Sequence, residues 1–392
     1  MTKILWHSNH PHAPTGYGSQ TALFTPMIRD AGHDVAISAF WGIAGRTSTW
    51  EGMKVYPGDR DFGNEWLAVC AADHGDGDPA GVQVITLMDV WVLRSPFLRE
   101  LHIASWVPVD HVPTPPTVAG FFKKTGATPI AMSRFGEEQL RHSGLDPLYV
   151  PHGVDTRRLR PVPRDDFRDQ LKIPRDAFVV GMVAANQGNA PARKAFPAAF
   201  AAFAIFHQQH PDAVLYLHTT LDGGSSGLDI PVWLDLCGVP ADAVRVTPQS
   251  ELFMGIEYEE MALVYSNMDV LLNPSYGEGF GVPVIEAQAC GTPVIVNDFS
   301  AMPELCGAGW KVDGLSVPHE AQGAWWQAPS IGSILDCLEE AYEKAAGLRG
   351  QAREFALGYD TRRVMEEYWV PVLAALEERS TAMPAVTLRA AA

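Results

Sequence analysis

Short apolar runs bounded by turn residues recur along this chain in two series, and that rhythm constrains the fold more tightly than any other feature. The first series occupies residues 4–7, 35–39, 82–88, 103–109, 129–132 and 148–150, with helical patterns between several of them, as at 19–31 and 135–143. The second occupies 178–183, 213–218, 244–247, 270–273 and 294–296. Runs of this kind alternating with helices read as mostly parallel strands with helices on both faces. A chain of 392 residues is too long for one core and fits two domains of about 150–200 residues each. The expectation is therefore α/β, with doubly wound parallel-sheet domains at 1–155 and 177–358. Residues 156–176 are rich in Arg, Pro and Asp with weak periodicity and read as a linker. Residues 381–392, rich in Ala, read as a frayed tail.

Composition narrows the function classes. Hydrophobic residues make up 47% and charged residues 19%, as in a soluble globular enzyme. There is no apolar run of about 18 residues, and Met1 leads straight into the first apolar run, so neither a membrane span nor a signal peptide is expected. Cys70, Cys237, Cys290, Cys306 and Cys337 are scattered without metal-type spacing and read as reduced thiols of a cytoplasmic protein. A net charge of −17 argues against a large nucleic-acid footprint, which needs a basic patch. No basic amphipathic helix is evident, so stable membrane insertion is not expected.

One loop of the second series carries chemistry. The stretch 273–295 reads Asn-Pro-Ser-Tyr-Gly-Glu-Gly-Phe-Gly-Val-Pro-Val-Ile-Glu-Ala-Gln-Ala-Cys-Gly-Thr-Pro-Val-Ile. Glu278 falls in a glycine-rich loop after a strand, and Glu286 on the first turns of the next helix. In an open parallel sheet the carboxyl ends of the strands are where ligands bind. Main-chain N–H groups of Gly279, Phe280, Gly281 and Val282 are placed to face an anionic or polyhydroxylated ligand. Two carboxylates at this separation grip hydroxyls at two places along it.

The full string P-S-x-x-E-G-F-G-x-P-x-x-E-A-x-A-x-G-x-P-V resembles the signature of the family 4 retaining glycosyltransferases. The opening loop, with Pro-Thr-Gly-Tyr-Gly, looks similar to members carried by actinobacterial phages as well as cellular ones. The resemblance implies the GT-B architecture: two Rossmann-like doubly wound domains facing across a cleft. A C-terminal helix crosses back onto the first domain in that architecture, and 359–380 resembles it, with Pro371 to kink or restart the helix; an ordinary terminal helix on the second domain is the other reading. The resemblance also implies transfer of a sugar from a nucleoside diphosphate sugar, UDP- or GDP-linked, to an acceptor hydroxyl with retention at the anomeric carbon. In that scheme Glu286 binds ribose hydroxyls, and Glu278 with the Phe280-Gly281 backbone holds the donor sugar.

Other positions are assigned within that resemblance. Arg193 and Lys194 precede an alanine-rich helix and stand as the clamp on the departing diphosphate, since cations at a helix N-terminus oppose the dipole and need an anionic reason. They arrive later than in the family, where an arginine directly follows the strand; here Asn186 follows it. In the first domain, Gly16, Tyr17 and Gly18 resemble the family's glycine loop at the donor phosphates. His7, His10 and His12 lie close together; without a nearby carboxylate or cysteine they read as an acceptor-side loop, His12 foremost, rather than a metal site. His111 is the candidate catalytic contact to the donor sugar, with Asp110 an alternative hydrogen-bonding group. Asp89 and Trp91 are acceptor-side candidates, although a strand-end aspartate also caps helices. Ser133 and Arg134 resemble the family's phosphate-side segment. Asp76-Gly77-Asp78 lies in a hydrophilic turn and is read as coincidence, so no metal and no other cofactor is predicted. The acceptor is a protein, glycan or lipid, with a modified DNA base disfavoured by charge. A sugar-nucleotide epimerase or hydrolase, using His111 and Asp110 as acid and base, and an inactive sugar-binding subunit are the competing readings.

Overall fold

The computed structural model describes residues 2–42, 45–58, 61–186, 191–224 and 226–382. The chain divides into two compact units. One comprises Met1–Gly153, Ala321–Ala324 and the chain from Thr361 onward; the other comprises Val154–Glu320 and Trp325–Asp360.

The first unit is built on an eight-stranded sheet among the described residues: β1 (Lys3–Asn9), β2 (Asp34–Trp41), β3 (Ser48–Trp50), β4 (Met53–Tyr56), β5 (Val82–Leu87), β6 (His102–Val107), β7 (Thr128–Ala131) and β8 (Leu148–Tyr149). Their spatial order is β3-β4-β2-β1-β5-β6-β7-β8, parallel except for β3 against β4. The chain winds outward from β1 to one side and then from β5 to the other, so the switch point lies between those two strands. β1, β2, β5, β6, β7 and β8 coincide with the first series of apolar runs. Thr15 starts the helix Gly16–Asp30 by accepting the Gly18 N–H at 3.0 Å. Trp6, Phe24, Trp106 and Trp369 meet in the core with ring centroids 5.0–6.1 Å apart. Two of the indoles satisfy their N–H groups, Trp6 on Thr21 and Trp106 on the Val150 carbonyl. Trp369 comes from a π turn, Met365–Trp369, set between Thr361–Val364 and Val370–Ala382. That wider turn stands immediately before Pro371, whose missing N–H breaks the regular ladder.

The second unit is built on an all-parallel six-stranded sheet among the described residues: β9 (Phe178–Val183), β10 (Ala213–His218), β11 (Val244–Val246), β12 (Val270–Asn273), β13 (Val294–Asn297) and β14 (Gly309–Val312). Its order is β11-β10-β9-β12-β13-β14, so its switch point lies between β9 and β12. A separate two-stranded ribbon pairs β15 (Gly314–His319) with β16 (Ala324–Pro329). The helix Phe196–Gln209 is apolar nearly all round and drives Phe196, Phe200, Phe203 and Phe206 into the core beneath the sheet.

Residues 156–176, read as a linker, are instead a packed part of this unit. They contain the helix Asp165–Gln170, whose Arg168 is fully buried. Its guanidinium donates to Asn267 Oδ1, to the carbonyls of Arg175, Ala177 and Asn267, and to Asp269 at 2.9 Å. A buried arginine is tolerated only when its donors are satisfied in this way. Arg353 ties the same stretch down from the helix Ile331–Ala356 by donating to the carbonyls of Thr156 and Leu159. The segment was unreadable because the side chain at its centre, fully buried Arg168, is of a type rarely found inside. Most of the predicted tail, from 383 on, lies outside the described residues.

Candidate active site

The switch point of the second sheet brings together the two loops that the sequence singled out. One follows β9 and carries Arg193 and Lys194; the other follows β12 and carries Glu278. The loops are stitched directly, since the Tyr276 N–H donates to the Arg193 carbonyl at 2.8 Å. Arg193 Nη1 reaches the Gly277 carbonyl at 3.2 Å and Glu278 Oε2 at 3.1 Å. Lys194 Nζ pairs with the other oxygen, Glu278 Oε1. These side chains are largely withdrawn from solvent: 30% of Arg193, 15% of Lys194 and 12% of Glu278 remain exposed. Burial alone pushes the Glu278 carboxyl up. The charges of Lys194 and Arg193, with hydrogen bonds from Lys194 and Ser275, overcome it and hold the pKa down at about 2.

Local structure fixes the Glu278 loop. The Glu278 N–H donates to Ser300 Oγ at 2.9 Å. Asn297, at the end of β13, donates to the carbonyls of Ser275 and Gln327 and so ties the loop to β16. Gly281 caps the following helix, Val282–Ala289, at φ 109°, a left-handed conformation that favours glycine, and Pro283 opens the helix. Phe280 is buried against the ring of Tyr359 at 5.9 Å, so its side chain anchors the loop while its backbone borders the site. The first N–H groups of that helix lack intrahelical acceptors and face its N-terminal end. Gly279 precedes them on the loop.

Glu286 lies one turn further along. Tyr265, fully buried on the helix Tyr258–Asn267, donates its hydroxyl to Glu286 Oε2 at 2.6 Å. Burial raises the Glu286 carboxyl above its ordinary value, with the Tyr265 hydrogen bond opposing the rise. Tyr265, Ser300 and Asn297 are positioning residues that the sequence reading missed. Tyr265 had a usable signal: a tyrosine on the buried face of a helix needs a partner for its hydroxyl. The other two are brought in from a different strand and its loop, with no local signature.

Several predicted residues have other partners. Asn186 is buried, with its amide donating to the carbonyls of Thr220 and Leu228 and accepting from the Leu228 N–H, all within 2.9 Å. It bridges Thr220 and Leu228, while the sequence reading places it among the donor-binding candidates. The loop residues 187–190 beside it lie outside the described residues. Ser133 is the N-cap of the helix Arg134–His142, accepting the Gly136 N–H at 3.0 Å. Arg134 pairs with Glu137 at 2.7 Å and lies over the Tyr149 ring, so both the Ser133 and Arg134 side chains have structural partners here.

In the first unit, Gly16, Tyr17 and Gly18 form the first turn of the helix after β1. A Cβ on Gly18 would lie 2.3 Å from the Ala13 carbonyl oxygen, so packing alone requires glycine there. His12 is exposed, its ring 5.3 Å from that of His10 and 6.3 Å from that of Trp50. Buried His7 instead bridges Ser38 and the Phe62 carbonyl. His111 is buried, with Nδ1 2.5 Å from Asp110 Oδ1, a contact that orients the imidazole. Asp89 starts the short turn Val90–Val92 without a side-chain capping bond and is exposed, while Trp91 packs partly on the core. Asp76 pairs with Lys3 and Asp78 caps the turn Pro79–Gly81, which accounts for both carboxylates of that triplet.

Comparison with known proteins bears on the fold and on the second unit. Residues 187–329, which include both loops, match the model of the family described as Glycosyl transferases group 1. The chain is 31% identical over 226 residues to the D-inositol 3-phosphate glycosyltransferase of Actinosynnema mirum, covering 56% of this chain and 51% of the relative. It is 36% identical over 226 residues to the protein of that name from Stackebrandtia nassauensis, covering 56% and 47%. The chain thus spans about half the length of the curated relatives it matches. Among solved structures it resembles the sucrose-phosphate synthase of Thermosynechococcus elongatus, with TM-score 0.71, 20% identity, and 96% of this chain and 100% of that one covered. It also resembles Anabaena HepE, solved in complex with UDP-glucose, with TM-score 0.66, 15% identity, and 96% and 100% covered. The fold is GT-B, and the family match falls on residues 187–329 of the second unit.

Proposed function

We propose that this chain is a glycosyltransferase that moves a sugar from a nucleoside diphosphate sugar, UDP- or GDP-linked, to an acceptor hydroxyl with retention and without a metal. The observation that carries the reading is the convergence of Arg193 and Lys194 on Glu278 at the switch point between β9 and β12. As the bond from the anomeric carbon to the phosphate oxygen breaks, negative charge gathers on the diphosphate, and two adjacent cations stabilise it. Glu278 and the Gly279–Gly281 main chain hold the sugar, and Glu286, pinned by Tyr265, holds the ribose hydroxyls. The acceptor oxygen bonds to the anomeric carbon on the face the diphosphate leaves, and its proton passes to the departing phosphate oxygen. No protein nucleophile is needed. His111, oriented by Asp110, and the Gly16–Gly18 turn are the first unit's candidates for contacts to the donor; His12, Asp89 and Trp91 are its candidates for the acceptor. A net charge of −17 favours a protein, glycan or lipid acceptor over DNA.

The test is a panel of UDP-, GDP-, ADP- and TDP-sugars offered with and without EDTA to the wild type, Glu278→Ala and Arg193→Ala. Selective, EDTA-insensitive binding of one donor, lost in Arg193→Ala, with its slow hydrolysis lost in both variants, is the expected result. Activity that follows added metal and ignores both substitutions would sink the reading.

A further inference from the structure

The two cations assigned to the diphosphate are both paired with the one carboxylate assigned to the sugar. Lys194 takes one oxygen of Glu278 and Arg193 the other. The loops cannot simply swing apart, because Tyr276 N–H is bonded to the Arg193 carbonyl and Glu278 N–H to Ser300. We propose that Glu278 makes this site select the intact nucleotide sugar over the sugar-free nucleoside diphosphate, by competing with the phosphates for Arg193 and Lys194. The inference rests on the nucleotide-sugar reading above.

A diphosphate carries more negative charge than one carboxylate and draws the cations to itself. Glu278, only 12% exposed, then loses both ion-pair partners in a place where water does little to replace them, and keeps the Ser275 hydrogen bond. An attached sugar cures this, since its hydroxyls donate to the carboxylate in charge-assisted hydrogen bonds. A nucleoside diphosphate alone offers no such donors and bears the whole penalty. The same competition favours product release. Once the sugar has moved to the acceptor, Glu278 reclaims Arg193 and Lys194 and displaces the diphosphate.

The experiment measures binding of UDP, UDP-glucose, GDP and GDP-mannose by calorimetry to the full chain, wild type and Glu278→Gln. The glutamine variant is expected to bind the sugar-free diphosphate about tenfold tighter, worth about 1.4 kcal/mol, and the nucleotide sugar no tighter than before. A second arm needs no variant. Free glucose or mannose should tighten diphosphate binding to the wild type, and the reverse by the same factor. If Glu278→Gln does not fold, this arm decides alone. Equal weakening of both ligands in the variant, or no cooperativity between hexose and diphosphate in the wild type, overturns the coupling while leaving the donor site intact. Failure of the wild type to bind any nucleotide sugar overturns the underlying reading instead.

Discussion

The loops after β9 and β12 in the second unit and those after β1 and β5 in the first hold the same topological position, yet their side chains are used differently. In the first unit the polar groups satisfy the local structure. Asn9 donates to Thr15 Oγ1, which accepts the Gly18 N–H, and Ser8 donates to the Leu87 carbonyl. In the second unit Arg193, Lys194 and Glu278 satisfy one another through charge. Neutral capping bonds have no reason to exchange for a ligand, whereas ion pairs exchange readily for other ions. Topology therefore places two candidate sites, and only side-chain chemistry tells them apart. The second unit's switch point is the one that gathers charged side chains, which is why the proposed donor site is put there.

The largest expected effect breaks that comparison at its charged side. Arg193→Ala should lower kcat/KM for the donor by about 10²–10³, the cost of removing one preorganised charge donor, read by steady-state kinetics. Next come the glycines, which differ in kind between the two regions. Gly18→Ala must push the Ala13 carbonyl aside, and urea denaturation should show a loss of about 1–3 kcal/mol. Gly281→Ala meets only ordinary contacts at 3.6 Å and beyond but sits at φ 109°. It should therefore weaken donor binding in calorimetry through strain of about 1–3 kcal/mol in the loop. Equal effects of the two substitutions on donor binding would erase the distinction. Thr15→Ala removes an N-cap and should cost about 1 kcal/mol of stability, seen as a lower melting temperature with donor affinity unchanged.

A pH dependence reads the same ion pairs through stability. The folded pKa of Glu278, about 2, lies below its ordinary 4.5, so its ion pairs stabilise the unit fully above pH 4.5. That contribution is lost as the pH falls toward 2. Acid titration of Glu278→Gln should accordingly show a shallower loss of stability between pH 4.5 and 2 than the wild type. Parallel titrations would mean that the pairs contribute nothing to the fold.

Much of the fold was legible because its strands are short apolar runs: eleven of them, from β1 to β13 with β3 and β4 excepted, coincide with runs read from the sequence. β3 and β4 escaped because Ser-Thr-Trp and Met-Lys-Val-Tyr are short and partly polar; β3 is the edge of the sheet and β4 lies next to it. β14 begins with Gly309, and β15 contains Pro318, both of which read as breaks. In the site, Glu278 and Glu286 stood out because glycine and proline dictate that turn locally. The pairing of Glu278 with Arg193 and Lys194 did not, since the partners lie 84 and 85 positions away and only the sheet order joins them. Ser133 carries no such local signature: a strand-end serine that caps a helix looks the same in sequence as one that binds a ligand.

The most direct test is hydrogen exchange of the intact chain with and without a saturating UDP- or GDP-sugar. The account predicts added protection of the main chain around 193–196 and 276–286. Protection confined to 9–18 and 87–91, with the second unit's loops unchanged, would contradict it.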